Sequence, residues 1–137
     1  MDKLFGNFYK FKNRIALIDG KKKISYKDLI IIFNQLSYIL KKRSLILILC
    51  NNSLGSIISY LFCLYSNHVV ILIDKKISDY ELKRLIILYK PNYIISEDLR
   101  SLKNEKEIVP KIKIFGSNIY FINSKNIKLK TDLQLLL

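Results

Sequence analysis

Few residues in this 137-residue chain are of a type that does chemistry, and they stand apart from one another. His68 is the only histidine. It falls between a predicted helix and a predicted strand, with no cysteine or carboxylate placed to form a site with it, and reads as a turn residue. Cys50 and Cys63 are the only thiols, and their spacing suits neither a close metal pair nor a disulfide framework. They are expected to be buried free cysteines. Among the carboxylates, Asp19, Asp28 and Glu81 have turn or capping roles. Asp74 closes an apolar strand at its carboxyl end, where open α/β sheets bind ligands, but a turn role accounts for it better. Asn51-Asn52-Ser53 lies at another strand's carboxyl end, and capping the following helix is reason enough for it. The chain has four glycines and neither a GxxxxGK[ST] nor a GxGxxG phosphate loop. No nucleophile–base pair can be assembled, so no catalytic, cofactor-binding or metal-binding residue is assigned.

The elements that would position such residues are clearer. Leu45-Ile46-Leu47-Ile48-Leu49-Cys50, Val69-Val70-Ile71-Leu72-Ile73 and Tyr93-Ile94-Ile95-Ser96 are apolar runs of strand length. Strands apolar on both faces belong to a parallel sheet covered by helices on each side. Between the first two runs a helix is expected from about Ser53 to Ser66, its apolar surface wide for a helix with one face in water; Asn67 suits a left-handed stop. Between the second and third, Ser78 and Glu81 stand at capping-box spacing and Pro91 ends the helix after Lys90.

Ahead of these, Ile15-Ala16-Leu17-Ile18 and Lys21 to Ile24 flank Asp19-Gly20, a strong hairpin signal. Ser25 can cap a helix in which Leu29, Ile32, Phe33, Leu36, Ile39 and Leu40 keep a 3.6-residue period, closed by Lys41-Lys42-Arg43. Residues 97–137 form a less regular tail. Glu97 to Glu107 suits a loop or short helix, and Lys111–Phe115, Ile119–Ile122 and Ile127–Lys130 suit short strands. The fold expected is α/β: a three-layer, doubly wound, mostly parallel β-α-β-α-β sheet with an N-terminal β-hairpin, one domain over residues 1–137.

Composition narrows the function classes. Hydrophobic residues make up 50% and aromatics 12% of the chain, enough to fill a core and to exclude disorder. The formal charge is +13, mostly lysine, which admits nucleic acid or an anionic surface as partner. The lysines are scattered, however, and do not alternate with aromatics as on a single-strand-binding surface, so nucleic acid is not favoured. Met1 to Arg14 holds no secretory signal, and Leu45 to Ile73 is interrupted by Asn51, Asn52, Asn67 and His68 before any run reaches the ~20 residues of a membrane span. A cytoplasmic protein without a membrane partner is expected.

The ordered segments resemble the N-terminal subdomain of the adenylate-forming enzymes, which include acyl- and aryl-CoA synthetases, luciferases and peptide-synthetase adenylation domains. Ile15 to Gly20 is similar to the family's opening ALIDG hairpin, and Ile24 to Leu29 to its TY-x-EL helix start. Asn34-Gln35-Leu36 matches N-x-LA, and Leu47 to Ser53 resembles VALLLPNS. Leu61 to Asp74 resembles LLACLKAGAVYVPLD, and Ser78 to Ser96 resembles ERL-x-YILEDSGPKLIIT. Departures fall at structural positions: Leu54 replaces the family's proline, Asn67-His68 its Gly-Ala, and Ile71-Leu72 its Val-Pro.

The resemblance implies an ATP-dependent ligase that activates a carboxylic acid as acyl-AMP and transfers it to CoA or a carrier thiol, with Mg2+ and ATP. In the family a segment like Asp132 to Leu137 leads into the phosphate loop, so this chain is expected to be the N-terminal piece of a larger ligase, inactive alone. Its partners would be the remainder of that ligase and, through exposed apolar surface, a second copy. The alternatives are a stand-alone basic α/β binding module, for nucleic acid among other anions, and a non-catalytic scaffold.

Overall fold

The computed structural model describes residues 5–99, 102 and 108–122. The chain opens with a two-stranded antiparallel sheet, β1 (Ile15–Asp19) and β2 (Lys22–Ser25). The turn depends on Gly20, whose φ of +58° is a conformation that side-chain-bearing residues avoid. Helix α1 (Tyr26–Ile39) follows at once. Ser25 and Asp28 form a full capping box: the Ser25 hydroxyl accepts from the Asp28 N–H, and the Asp28 carboxylate accepts from the Ser25 N–H.

A β-α-β-α-β unit comes next: β3 (Leu45–Cys50), α2 (Leu54–Tyr65), β4 (Val69–Asp74), α3 (Asp79–Tyr89) and β5 (Tyr93–Ser96). Each helix starts on a serine: Ser53 accepts from the Ser56 N–H and Ser78 from the Glu81 N–H. Asn67 (φ 59°) and Lys90 (φ 49°) take the left-handed conformation that ends α2 and α3. A closing hairpin, β6 (Ile108–Ile114) and β7 (Ser117–Ile122), turns at Phe115-Gly116.

The main sheet has five strands in the order β4-β3-β5-β7-β6. β3 pairs parallel with both β4 and β5, whereas β7 is antiparallel to β5 and to β6. The α/β class holds, but the sheet is mixed rather than mostly parallel. The tail that reads as loose short strands supplies two of its five members, because β7 returns along the free edge of β5. Residues 127–130 and 132–137, and most of 97–107, lie outside the described residues.

Pleating divides the apolar side chains of β3 between two cores. Ile46 and Ile48 join Leu29, Phe33 and Leu36 of α1 and Ile58, Phe62 and Cys63 of α2 on one face. Leu47 and Leu49 join Leu82 and Ile86 of α3, with Leu99 and Leu102, on the other. Phe33 is fully enclosed, with the rings of Phe5, Phe62 and Tyr65 all within 6.4 Å of its own.

Candidate functional site

The three parallel strands all end on the same edge of the sheet. After β3 the chain turns through Asn51–Ser53 toward the face that α2 covers. After the neighbouring β4 it turns through residues 75–78 toward the opposite face and α3. Diverging connections from adjacent strands open a crevice, the usual ligand position of such sheets. Here it is a cleft of about 410 Å³ lined by Cys50, Asn51, Asn52, Asp74, Lys75 and Lys76. A second hollow, about 380 Å³, shares Lys75 and extends to Asp79, Leu82, Asp98 and Leu99.

The polar groups on this edge are held from four strands. The Lys75 Nζ sits 2.9 Å from Glu97 Oε2, tying the end of β4 to the end of β5. The polar side chains of Asn51, Lys75 and Ser53 stabilise the Glu97 carboxylate and hold its pKa below the ordinary glutamate value. The Asn118 amide of β7 donates to the Glu97 carbonyl at 3.2 Å. Asn51 is fixed in turn by Ser56, whose hydroxyl donates to Asn51 Oδ1 and accepts from the Asn51 N–H. Asp74 accepts from the Lys76 N–H through Oδ1, the turn role that its sequence position suggests.

This arrangement can bind polar groups, but it is poorly equipped for proton transfer or covalent catalysis. Glu97 stays ionised at neutral pH and is no general acid. Burial raises the Cys50 pKa, so its thiol is not an activated nucleophile. Among the described residues no group of three His, Cys, Asp or Glu side chains could hold a metal ion. The Glu97 carboxylate also rests against Ser53, the N-cap of α2, and so brings negative charge to the helix end where a phosphate would otherwise be attracted.

His68 lies at the other end of the strands and is not an open turn residue. It is buried, its ring 5.5 Å from that of Phe62, and its Nδ1 accepts the Ser44 N–H at 3.1 Å. Cys50 and Cys63 are free thiols, and Cys63 is fully buried. Sequence reasoning put Asn51, Ser53 and Asp74 at strand carboxyl ends but in capping or turn roles, and it missed Lys75, Glu97 and Asn118. The first two immediately follow the apolar runs that end at Asp74 and Ser96, and that adjacency was the available signal. Among the described residues no helix is long and apolar enough to cross a membrane. Comparison with protein-family models, curated proteins and solved structures finds no match to this chain.

Proposed function

We propose that this chain is the N-terminal α/β part of an ATP-dependent adenylate-forming ligase. Such an enzyme activates a carboxylic acid as acyl-AMP, with pyrophosphate leaving, and passes the acyl group to CoA or a carrier thiol. One observation carries the proposal: the family-like segments meet element boundaries in order. The ALIDG-like stretch occupies β1 and its turn, and Ser25 to Asp28 forms the cap of α1. Leu47 to Ser53 runs from β3 into the cap of α2. Leu61 to Asp74 spans the end of α2 and all of β4, and Ser78 to Ser96 spans α3 and β5. A doubly wound, three-layer reading of β3 to β5, with helices on opposite faces, belongs to the same proposal.

The crevice residues do not fit the phosphates of ATP or their Mg2+. They offer no glycine-rich backbone cradle, and Glu97 brings negative charge to the end of α2. In this reading the nucleotide is bound by segments beyond these 137 residues. β3, β4 and β5 form a rigid wall beside them, and the unit alone does not catalyse.

ATP–pyrophosphate exchange by the product of the complete reading frame, with a panel of fatty, aromatic and amino acids, tests the proposal. Exchange with one acid class by that product, and none by the 137-residue chain alone, is the expected result. No exchange with any acid overturns it.

A further inference from the structure

Within residues 5–99, positive charge is concentrated where the fold sets a small element apart. Residues 10–28 carry seven cations, Lys10, Lys12, Arg14, Lys21, Lys22, Lys23 and Lys27, against Asp19 and Asp28. Residues 29–99, more than three times as many, carry eight cations against five carboxylates. All seven cations are exposed. They sit on one lobe, because Tyr26 and Lys27 donate their backbone N–H groups to the carbonyls of Arg14 and Lys12, closing the base of the β1–β2 hairpin. Of the two carboxylates, Asp28 is engaged in the α1 cap, leaving Asp19 at the tip beside Lys22.

The same lobe exposes apolar side chains. Ile18 is 66% exposed and is the cross-strand partner of Lys23, and Ile15 is 47% exposed. Ile24 is buried and Ala16 and Leu17 pack on the core, so the hairpin has one anchored face and one free face. We propose that the free face and the tip of the β1–β2 hairpin dock on an anionic lipid surface, with Ile18 entering the interfacial region, Lys23 beside it on the free face, and Lys21 and Lys22 at the tip meeting the headgroups.

Charge complementarity selects an anionic partner, and each cation near such a surface contributes on the order of 1 kcal/mol. The exposed isoleucines select lipid over nucleic acid. A phosphodiester backbone gives Ile18 nothing apolar to bury against, whereas the bilayer interface accepts apolar side chains among lysines whose stems extend toward water. The inference is independent of the ligase reading, since vesicle binding requires no catalysis.

Co-sedimentation of the full chain with vesicles tests it, comparing pure phosphatidylcholine with a mixture containing phosphatidylglycerol. Binding to the mixed vesicles alone, weakened by salt, is expected. Replacing Lys21, Lys22 and Lys23 together by glutamine should lower partitioning roughly 100-fold, the equivalent of about three such contacts. Replacing Lys42, Lys76 and Lys90 instead removes the same charge elsewhere and should change it little. Ile18→Ser should weaken binding while leaving the circular dichroism spectrum intact. Equal loss from both triple variants, equal binding to both vesicle types, or binding to an RNA oligonucleotide but not to vesicles overturns the proposal.

Discussion

The imidazole Nδ1 of His68 accepts the backbone N–H of Ser44 at 3.1 Å, joining the residue before β4 to the residue before β3. That bond requires Nδ1 to be unprotonated, which places the hydrogen on Nε2. Nε2 is buried with no hydrogen-bond partner. Desolvation pulls the pKa of His68 below the ordinary histidine value of 6.5. The folded state therefore resists a proton that the unfolded chain accepts. The resulting stability is complete above about pH 6.5 and declines as pH falls from there toward the depressed folded value. His68 is the only histidine, so the slope between pH 6.5 and 5 reports on it. Urea denaturation across that range should show falling stability. His68→Gln, which can still accept from Ser44, should be nearly flat; an equal slope in the variant would refute the assignment.

The two thiols should differ sharply in reactivity. Burial pushes the Cys63 pKa up to about 12. Cys50, half-buried at the crevice, is also raised by burial, though by less. At pH 8 a thiol reagent should modify native Cys50 slowly and Cys63 only after unfolding, so urea releases the second equivalent. Unfolded Cys63 ionises near the ordinary thiol value and folded Cys63 does not. Its contribution to stability is present below pH 9 and is lost as pH rises from there toward 12. Two fast equivalents in the native state would contradict this placement.

Much of the fold was legible because its strongest signals are local. The apolar runs of β3, β4 and β5 and the serines at 25, 53 and 78 mark strands and helix starts without tertiary help. What was not legible depends on partners distant in sequence. The addition of β7 to the edge of β5 relies on pairs such as Ile95 with Ile119, and it turned an expected parallel sheet into a mixed one. His68 read as a turn residue because neither Ser44 nor Phe62 is near it in the chain. The crevice was half visible: Asn51 and Asp74 announce themselves at strand ends, but Glu97 becomes part of the site only when Lys75 and Asn51 meet it.

Glu97 should act as a local fastener with a modest global effect. The polar side chains of Asn51, Lys75 and Ser53 depress its pKa, so their stabilisation is present above the ordinary glutamate value and is lost as pH falls through the lower folded one. The pair with Lys75 is partly exposed, so Glu97→Gln should cost no more than about 1 kcal/mol at pH 7. The variant should also have a flatter acid limb between pH 5 and 3. Glu97→Gln removes the negative charge from the N-terminus of α2, and inorganic phosphate should perturb the Ser56 amide resonance more strongly than in the parent. Identical phosphate titrations for both would show that the carboxylate does not screen the helix end.

The free edge of β4 should govern self-association. Val69 donates its N–H to Ser44 and Lys75 donates to Cys50, so the odd-numbered residues of β4 face β3 and the backbone groups of Val70, Leu72 and Asp74 point outward. Among the described residues no strand pairs with them. Between Val69 and Ile73 this edge has no charge, proline or bulge, the features that keep edge strands apart, and Leu72 is 50% exposed on it. Leu72→Lys adds a charge at the middle of the strand without removing a buried side chain. Light scattering on a concentration series should show the parent chain associating and Leu72→Lys remaining monomeric, with thermal unfolding at low concentration little changed. A parent that stays monomeric throughout, or a variant that associates equally, would place the sticky surface elsewhere or remove it.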